Sequence, residues 1–294
     1  MAKARRSSVT RDRVSAAGPC ARPPRLERAT SVVAARLDVL AHVIDLHCHI
    51  LPGIDDGPET LAGSLELARA AVADGIAVVA ATPHVRDDWP TTPQSMERLV
   101  RELRIALERE AIPLDVRPGG EVALDELPRL GDTVRRYALA GNPRYLLVEM
   151  PYRGWPLDIA HKFFDLLARG ITPVLAHPER NSDVQEQPER LAPLVEQGAL
   201  VQLTAASVDG RLGRRARSTS FRLLDLELAH LIASDAHAPS VRTLTLTAAA
   251  EAVGGGDLAR WLTLDVPAAI ANDGAVPTRP ALRRRRPWFA TPRA

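Results

Sequence analysis

The sequence predicts an α/β fold built on a parallel sheet. Three observations lead there. Short apolar runs alternate with longer amphipathic stretches seven times between residues 43 and 253. The chain has 294 residues and is 46% hydrophobic, enough for one large core. Polar residues of metal-ligand type interrupt the apolar runs at their carboxyl ends. An open doubly wound sheet and a closed or distorted barrel both satisfy this rhythm.

Taken in order, the run 43–47 leads into the amphipathic stretch 59–74, and 76–82 into 92–110. The run 113–118 leads into 125–138, 144–149 into 156–169, and 171–176 into 188–197. The last two pairs are 199–204 with 214–227 and 229–234 with 241–253. Gly254-Gly255-Gly256 ends the final long helix, and a short helix follows at 265–272. Residues 1–42, rich in Arg, Ala, Ser and Pro, predict a disordered extension with a short helix near 30–41. The ordered pattern starts so abruptly at Val43 that this residue is the expected natural start. The expected domain therefore spans 43–278, with a basic C-terminal tail at 279–294.

Charge and cysteine usage narrow the function. Residues 1–44 hold nine Lys/Arg against three Asp/Glu, and 279–294 hold six Arg and no acid. The body between them is acidic, which argues against a nucleic-acid-binding surface and suits a domain that gathers carboxylates around cations. The two cysteines are Cys20, in the extension, and Cys48, which predicts no structural disulfide and a reducing, cytoplasmic setting. No apolar run approaches the ~20 residues of a membrane span. A cysteine phosphatase needs Arg six positions after its nucleophile. Here Ile54 follows Cys48 at that distance and Leu26 follows Cys20, so that chemistry is excluded.

The chemistry-bearing residues sit where apolar runs end. The first ends in Asp45-Leu46-His47-Cys48-His49, the second in Thr82-Pro83-His84, and the third leads to Glu121. The fourth ends at Glu149, the fifth at His177-Pro178-Glu179-Arg180, and the seventh at Asp235-Ala236-His237. In α/β barrels this rim is where active sites form. His47 and His49 are two apart on a strand, so they share a face while Cys48 faces the core. A lone His-x-His is more often structural than a metal site. Six runs ending in ligand types predict a metal centre of imidazole and carboxylate, suited to Mn, Fe or Zn. His161 is expected on a helix surface and His230 at a strand start.

The stretch from Ile44 to Gly57, Ile-Asp-Leu-His-Cys-His-Ile-Leu-Pro-Gly-Ile-Asp-Asp-Gly, resembles the opening of bacterial capsule and exopolysaccharide tyrosine phosphatases. These belong to the polymerase-and-histidinol-phosphatase (PHP) superfamily. Ala81-Thr82-Pro83-His84, Gly120-Glu121, Ala176-His177-Pro178-Glu179-Arg180-Asn181 and Ala233-Ser234-Asp235-Ala236-His237 resemble the later motifs in order. The resemblance covers about 43–275 and implies a distorted TIM-like (β/α)7 barrel, the PHP fold, with three divalent metal ions, usually manganese. It implies that His47, His49, Glu121 and Asp235 hold one ion. Glu121 then bridges to a second ion held with Glu149 and His177, and Asp56, His84 and His237 hold a third. Arg180 and Arg242 match arginines that face the phosphate. Asp45 is expected to hydrogen-bond a ligand histidine.

The implied reaction is in-line hydrolysis of phosphotyrosine by water that the cations activate. The implied partner is a membrane-associated tyrosine kinase that controls polysaccharide export. The run Arg283–Arg286, followed by Pro287-Trp288-Phe289, suggests a weak membrane-surface contact, against the plainer expectation of a solvated tail. A histidinol-phosphate phosphatase, a nuclease-like editing domain and a catalytically silent metal-binding protein are the competing readings. The sequence leaves the oligomeric state open.

Overall fold

The computed structural model describes residues 43–238 and 243–281. Ten strands occur among them: β1 Val43–Cys48, β2 Ile76–Ala81, β3 His84–Arg86, β4 Trp89–Pro90, β5 Asp115–Pro118, β6 Glu121–Ala123, β7 Tyr145–Glu149, β8 Thr172–Ala176, β9 Leu200–Thr204 and β10 Leu231–Ala233. They form a three-stranded sheet, β1-β2-β5, and a seven-stranded sheet, β10-β9-β8-β7-β6-β3-β4. Every described strand pair is parallel except β3 with β4.

The barrel expectation is corrected here: among the described residues no sheet closes. The break lies at two chain kinks. After β2 the chain passes through Thr82-Pro83 and re-enters the larger sheet as β3; after β5 it passes through Gly119-Gly120 and re-enters as β6. Pro83 has no N–H to give to a ladder. Gly120 is held where a Cβ would meet the Tyr137 ring at 2.9 Å. The kinks add a short strand of the larger sheet after each of two predicted strands and leave His84 and Glu121 as register partners in β3 and β6. On the other side, the end of β1 meets the segment after β10. His49 N–H donates to the Ala236 carbonyl at 2.9 Å and Asp235 N–H to the His47 carbonyl at 2.8 Å.

The helices follow from local chemistry. Pro93–Arg109 opens with a reciprocal Thr92–Ser95 cap and buries Met96, Leu99, Val100, Leu103 and Leu107, the i, i+3, i+4, i+7 stripe of a core-facing helix. Leu61–Ala73 is capped by Thr60, whose side chain accepts from Gly63 N–H. The predicted helix over 125–138 breaks into a 3-10 turn, Leu124–Glu126, a single α-helical turn, Leu127–Leu130, and a second 3-10 stretch, Gly131–Tyr137, because Gly131 takes a positive φ of 51° that ends the α-helix. The predicted helix over 188–197 likewise becomes a 3-10 turn followed by Ala192–Glu196, with Pro188 and Pro193 at the two starts. The predicted 241–253 helix is observed as Thr247–Ala252. The extension 1–42, the residues 239–242 and the run Arg283–Arg286 lie outside the described residues. No helix among the described residues is long and apolar enough to cross a membrane.

Candidate metal centre

All nine predicted ligands come together at one mouth of the fold. His47 is the next-to-last residue of β1 and His49 follows the strand, Glu149 ends β7, His177 follows β8, and Asp235 and His237 follow β10. His84 and Glu121 differ from expectation in one respect: they open strands of the larger sheet. His177 and Asp235 have φ of 34° and 52°, left-handed values for non-glycine residues at a turn into the site. Cys48 is fully buried and faces the core, as its strand parity predicts, while His161 lies exposed on its helix.

Glu121, fully buried, sits at the hub. His177 Nε2 is 2.8 Å and His47 Nε2 3.4 Å from its Oε1; His84 Nδ1 is 2.8 Å and His49 Nε2 3.4 Å from its Oε2. Four groups have ligand atoms mutually within 4.8 Å: His49, Asp56, His84 and His237; His47, His49 and Asp235; His47, Glu121 and His177; His84, Glu121 and Glu149. The membership equals the predicted nine, but the partition differs. His49 also joins the Asp56 group, where His237 Nε2 stands 3.1 Å from Asp56 Oδ1.

The orienting residues were mostly missed. Asp55 Oδ2 accepts from His49 Nδ1 at 2.7 Å and from the His84 backbone N–H at 3.0 Å. Gly57 follows because a Cβ there would lie 2.3 Å from the His49 carbonyl oxygen. Thus in Asp55-Asp56-Gly57 one carboxylate orients a histidine, the next faces the site, and the glycine permits the close approach. Gln202 Oε1 accepts from His47 Nδ1 at 3.0 Å; its signal in the sequence is a lone amide inside an apolar strand. Asp45 does hydrogen-bond a histidine of the cluster, through the backbone of His47 and not its ring. Its Oδ1 accepts the backbone N–H of His47 and of Ser234, tying β1 to the end of β10.

The donor set fits divalent cations. With Nδ1–H committed to Gln202 and Asp55, His47 and His49 face each other through Nε2 atoms only 3.2 Å apart. Two lone pairs at that distance repel unless a proton or a metal cation lies against them. Glu149 Oε1 is buried without a hydrogen-bond partner. Burial and then the Glu121 charge push the Glu149 carboxyl up, whereas Glu121 itself is held well below the usual range by its histidines despite burial. Burial and the neighbouring Arg180 lower His177 to about 4, which keeps its ring neutral.

Arg180 reaches the rim from the turn after His177. Its Nη1 donates to Asp235 Oδ2 at 2.6 Å, and its guanidinium lies 4.7 Å from the Tyr152 ring centroid. Tyr152 in turn stacks on His177 with an interplanar angle of 8°. Arg242 lies outside the described residues.

A family model described as capsular polysaccharide synthesis, CpsB/CapC, matches residues 43–269. The chain belongs to that family. Within it, the tyrosine-protein phosphatase YwqE of Bacillus subtilis (strain 168) is 41% identical over 198 residues, covering 66% of this chain and 77% of the relative. The tyrosine-protein phosphatase CpsB of Streptococcus agalactiae serotype III (strain NEM316) is 29% identical over 214 residues, covering 68% of this chain and 85% of the relative. A solved structure from work on YwqE of Bacillus subtilis and CpsB of Streptococcus pneumoniae, described as unique metal-dependent tyrosine phosphatases, superposes with a TM-score of 0.74 at 35% identity. It covers 82% of this chain and all of that one. The CpsB/CapC match thus embraces every residue of the nine-membered cluster.

Proposed function

We propose that this chain is a metal-dependent protein-tyrosine phosphatase with its active site at the Glu121 cluster. The observation that carries the reading is the convergence of four imidazoles on one buried carboxylate, with Asp235, Glu149, Asp56 and His237 completing the ring. The names borne by its CpsB/CapC relatives support the substrate class. The proposed ligands are His47, His49, Asp56, His84, Glu121, Glu149, His177, Asp235 and His237, for three divalent ions, manganese first and iron or zinc next. When bound, such ions supply Lewis-acid stabilisation of phosphoryl charge and bring the pKa of water near neutrality.

The protein's own groups do the rest. Gln202 and Asp55 hold the His47 and His49 tautomers so that both Nε2 atoms face inward. Arg180, anchored on Asp235, offers its remaining N–H groups to phosphoryl oxygens, and Arg242 is assigned the same role. Asp56, 43% exposed at its side chain, marks the open side through which a phosphotyrosine side chain enters. Phenolate leaves readily because its conjugate acid has a pKa of about 10. Cys48, buried with its thiol pushed well up by burial, takes no part. The domain is assigned to 43–278, the setting to the cytoplasm, and the substrate to a membrane-associated tyrosine kinase of capsule synthesis.

The test is parallel hydrolysis of a phosphotyrosine peptide and histidinol phosphate, before and after chelation and with manganese restored. The expected result is peptide hydrolysis that chelation abolishes and manganese recovers. Preference for histidinol phosphate, or full activity after chelation, ends the reading.

A further inference from the structure

Arg86 has no part in the ligand set, yet its surroundings are unusual for a partly exposed arginine. It closes β3 two residues after His84, so both side chains leave the strand on the same face. Its Nε and Nη2 donate to the two oxygens of Asp88 at 2.5 and 2.7 Å. Such fork-to-fork pairing fixes the plane of the guanidinium. The third nitrogen, Nη1, points the other way and makes only a long contact, 3.5 Å, to Glu149 Oε2. Charge-assisted N–H···O bonds are normally about 2.7–2.9 Å, so Nη1 retains capacity for a stronger acceptor. Arg86, Glu149 and Tyr152 line one cavity of about 260 Å³ together with four acids that each pair with a cation, Asp88 with Arg86, Asp87 and Glu126 with Arg129, and Asp125 with Lys162. Tyr152 is also the ring that carries Arg180. An oriented cation therefore stands in the wall of a cavity that borders the proposed metal ligands.

We propose that Arg86 is a further phosphate-binding residue, presenting Nη1 to a non-bridging oxygen of the phosphoryl group held beside Glu149, with Asp88 as its positioning residue. The proposal rests on the phosphatase reading of this site, but it concerns the anion and not the alcohol released. Lysine cannot take over the role, because one ammonium cannot both fork onto Asp88 and reach toward Glu149.

The experiment is calorimetric titration of inorganic phosphate into manganese-loaded protein, with metal content measured on the same samples. Loss of one charge-assisted contact predicts about tenfold weaker phosphate binding for Arg86→Gln and a similar loss for Arg86→Lys. Asp88→Asn loosens the fork and is expected to lose several-fold. Arg98→Gln, at an exposed helix-surface pair with Glu102, is expected to change nothing. Metal content stays at the unsubstituted level throughout. Unchanged phosphate affinity in Arg86→Gln overturns the proposal. So does metal loss from Arg86→Gln or Arg86→Lys, which would assign Arg86 to holding Glu149 in place. A protein that binds phosphate through Arg86 but hydrolyses a different phosphomonoester would end the tyrosine reading and leave this inference standing.

Discussion

Two histidine environments sit in the same molecule and behave oppositely. At the mouth, His47 and His49 are surrounded by carboxylates. Burial opposes a proton on His49, but Asp55 and Glu121 outweigh it and hold its pKa well above the ordinary value. Elsewhere His230 is half-buried; its Nδ1 accepts the Val201 backbone N–H at 3.1 Å and its ring lies near Trp261. There burial, with the Arg279 charge second, lowers the pKa to about 4. Burial alone therefore does not distinguish a ligand from a structural histidine. The partner does: carboxylates and a second ring nitrogen aimed at a common centre mark the one, a satisfied backbone amide marks the other.

The contrast can be broken most directly at its hub. Glu121→Ala removes the carboxylate shared by four imidazoles, and phosphotyrosine hydrolysis should fall about a thousandfold, the equivalent of several kcal/mol of lost charge stabilisation, with metal lost in elemental analysis. Retained metal and activity would dissolve the distinction between the two regions. A smaller effect is expected one layer out. Gln202→Leu frees the His47 tautomer, and metal affinity should drop about 10–100-fold with the fold intact by circular dichroism.

His230 sharpens the comparison through pH. The folded state keeps it neutral down to about 4, whereas an unfolded histidine protonates near 6.5. The unfolded chain then binds more protons between those values, so this contribution is fully present above pH 6.5 and is lost as pH falls toward 4. Its size is at most about 3 kcal/mol. In thermal melts the loss over that window should shrink in His230→Gln, while hydrolysis at pH 7 stays within about twofold. An unchanged acid slope would place the effect elsewhere. The smallest change belongs to Cys48→Ala, which should leave hydrolysis within about twofold and cost roughly 1 kcal/mol or less in denaturant melts. A large loss of activity would restore a role to the thiol.

The seven predicted strands all exist, because a run of five or six apolar residues ending in a polar one is visible to periodicity. The strands β3, β4 and β6, two or three residues each, are too short for any period to register. The helix expected over 125–138 shows the opposite failure, since its amphipathic pattern ran through Gly131 without weighing the positive φ it adopts. At the site, the nine side chains were legible because metal-ligand types at strand ends are rare by accident. Asp55, Gln202, Arg86 and Tyr152 were not. Their roles depend on what lies across the mouth from them, as when Gln202 meets His47 from 155 positions away.

By itself the sequence determined the nine side chains that gather at one mouth, and that His47 and His49 share a face, since strand parity is a local property of the backbone. Only the tertiary structure decided that the sheet splits in two at Pro83 and Gly120, which imidazoles share which carboxylate, and which way Arg86 and Arg180 point. Those depend on register and on distances between chain-remote atoms, and no local rule of the chain sets them.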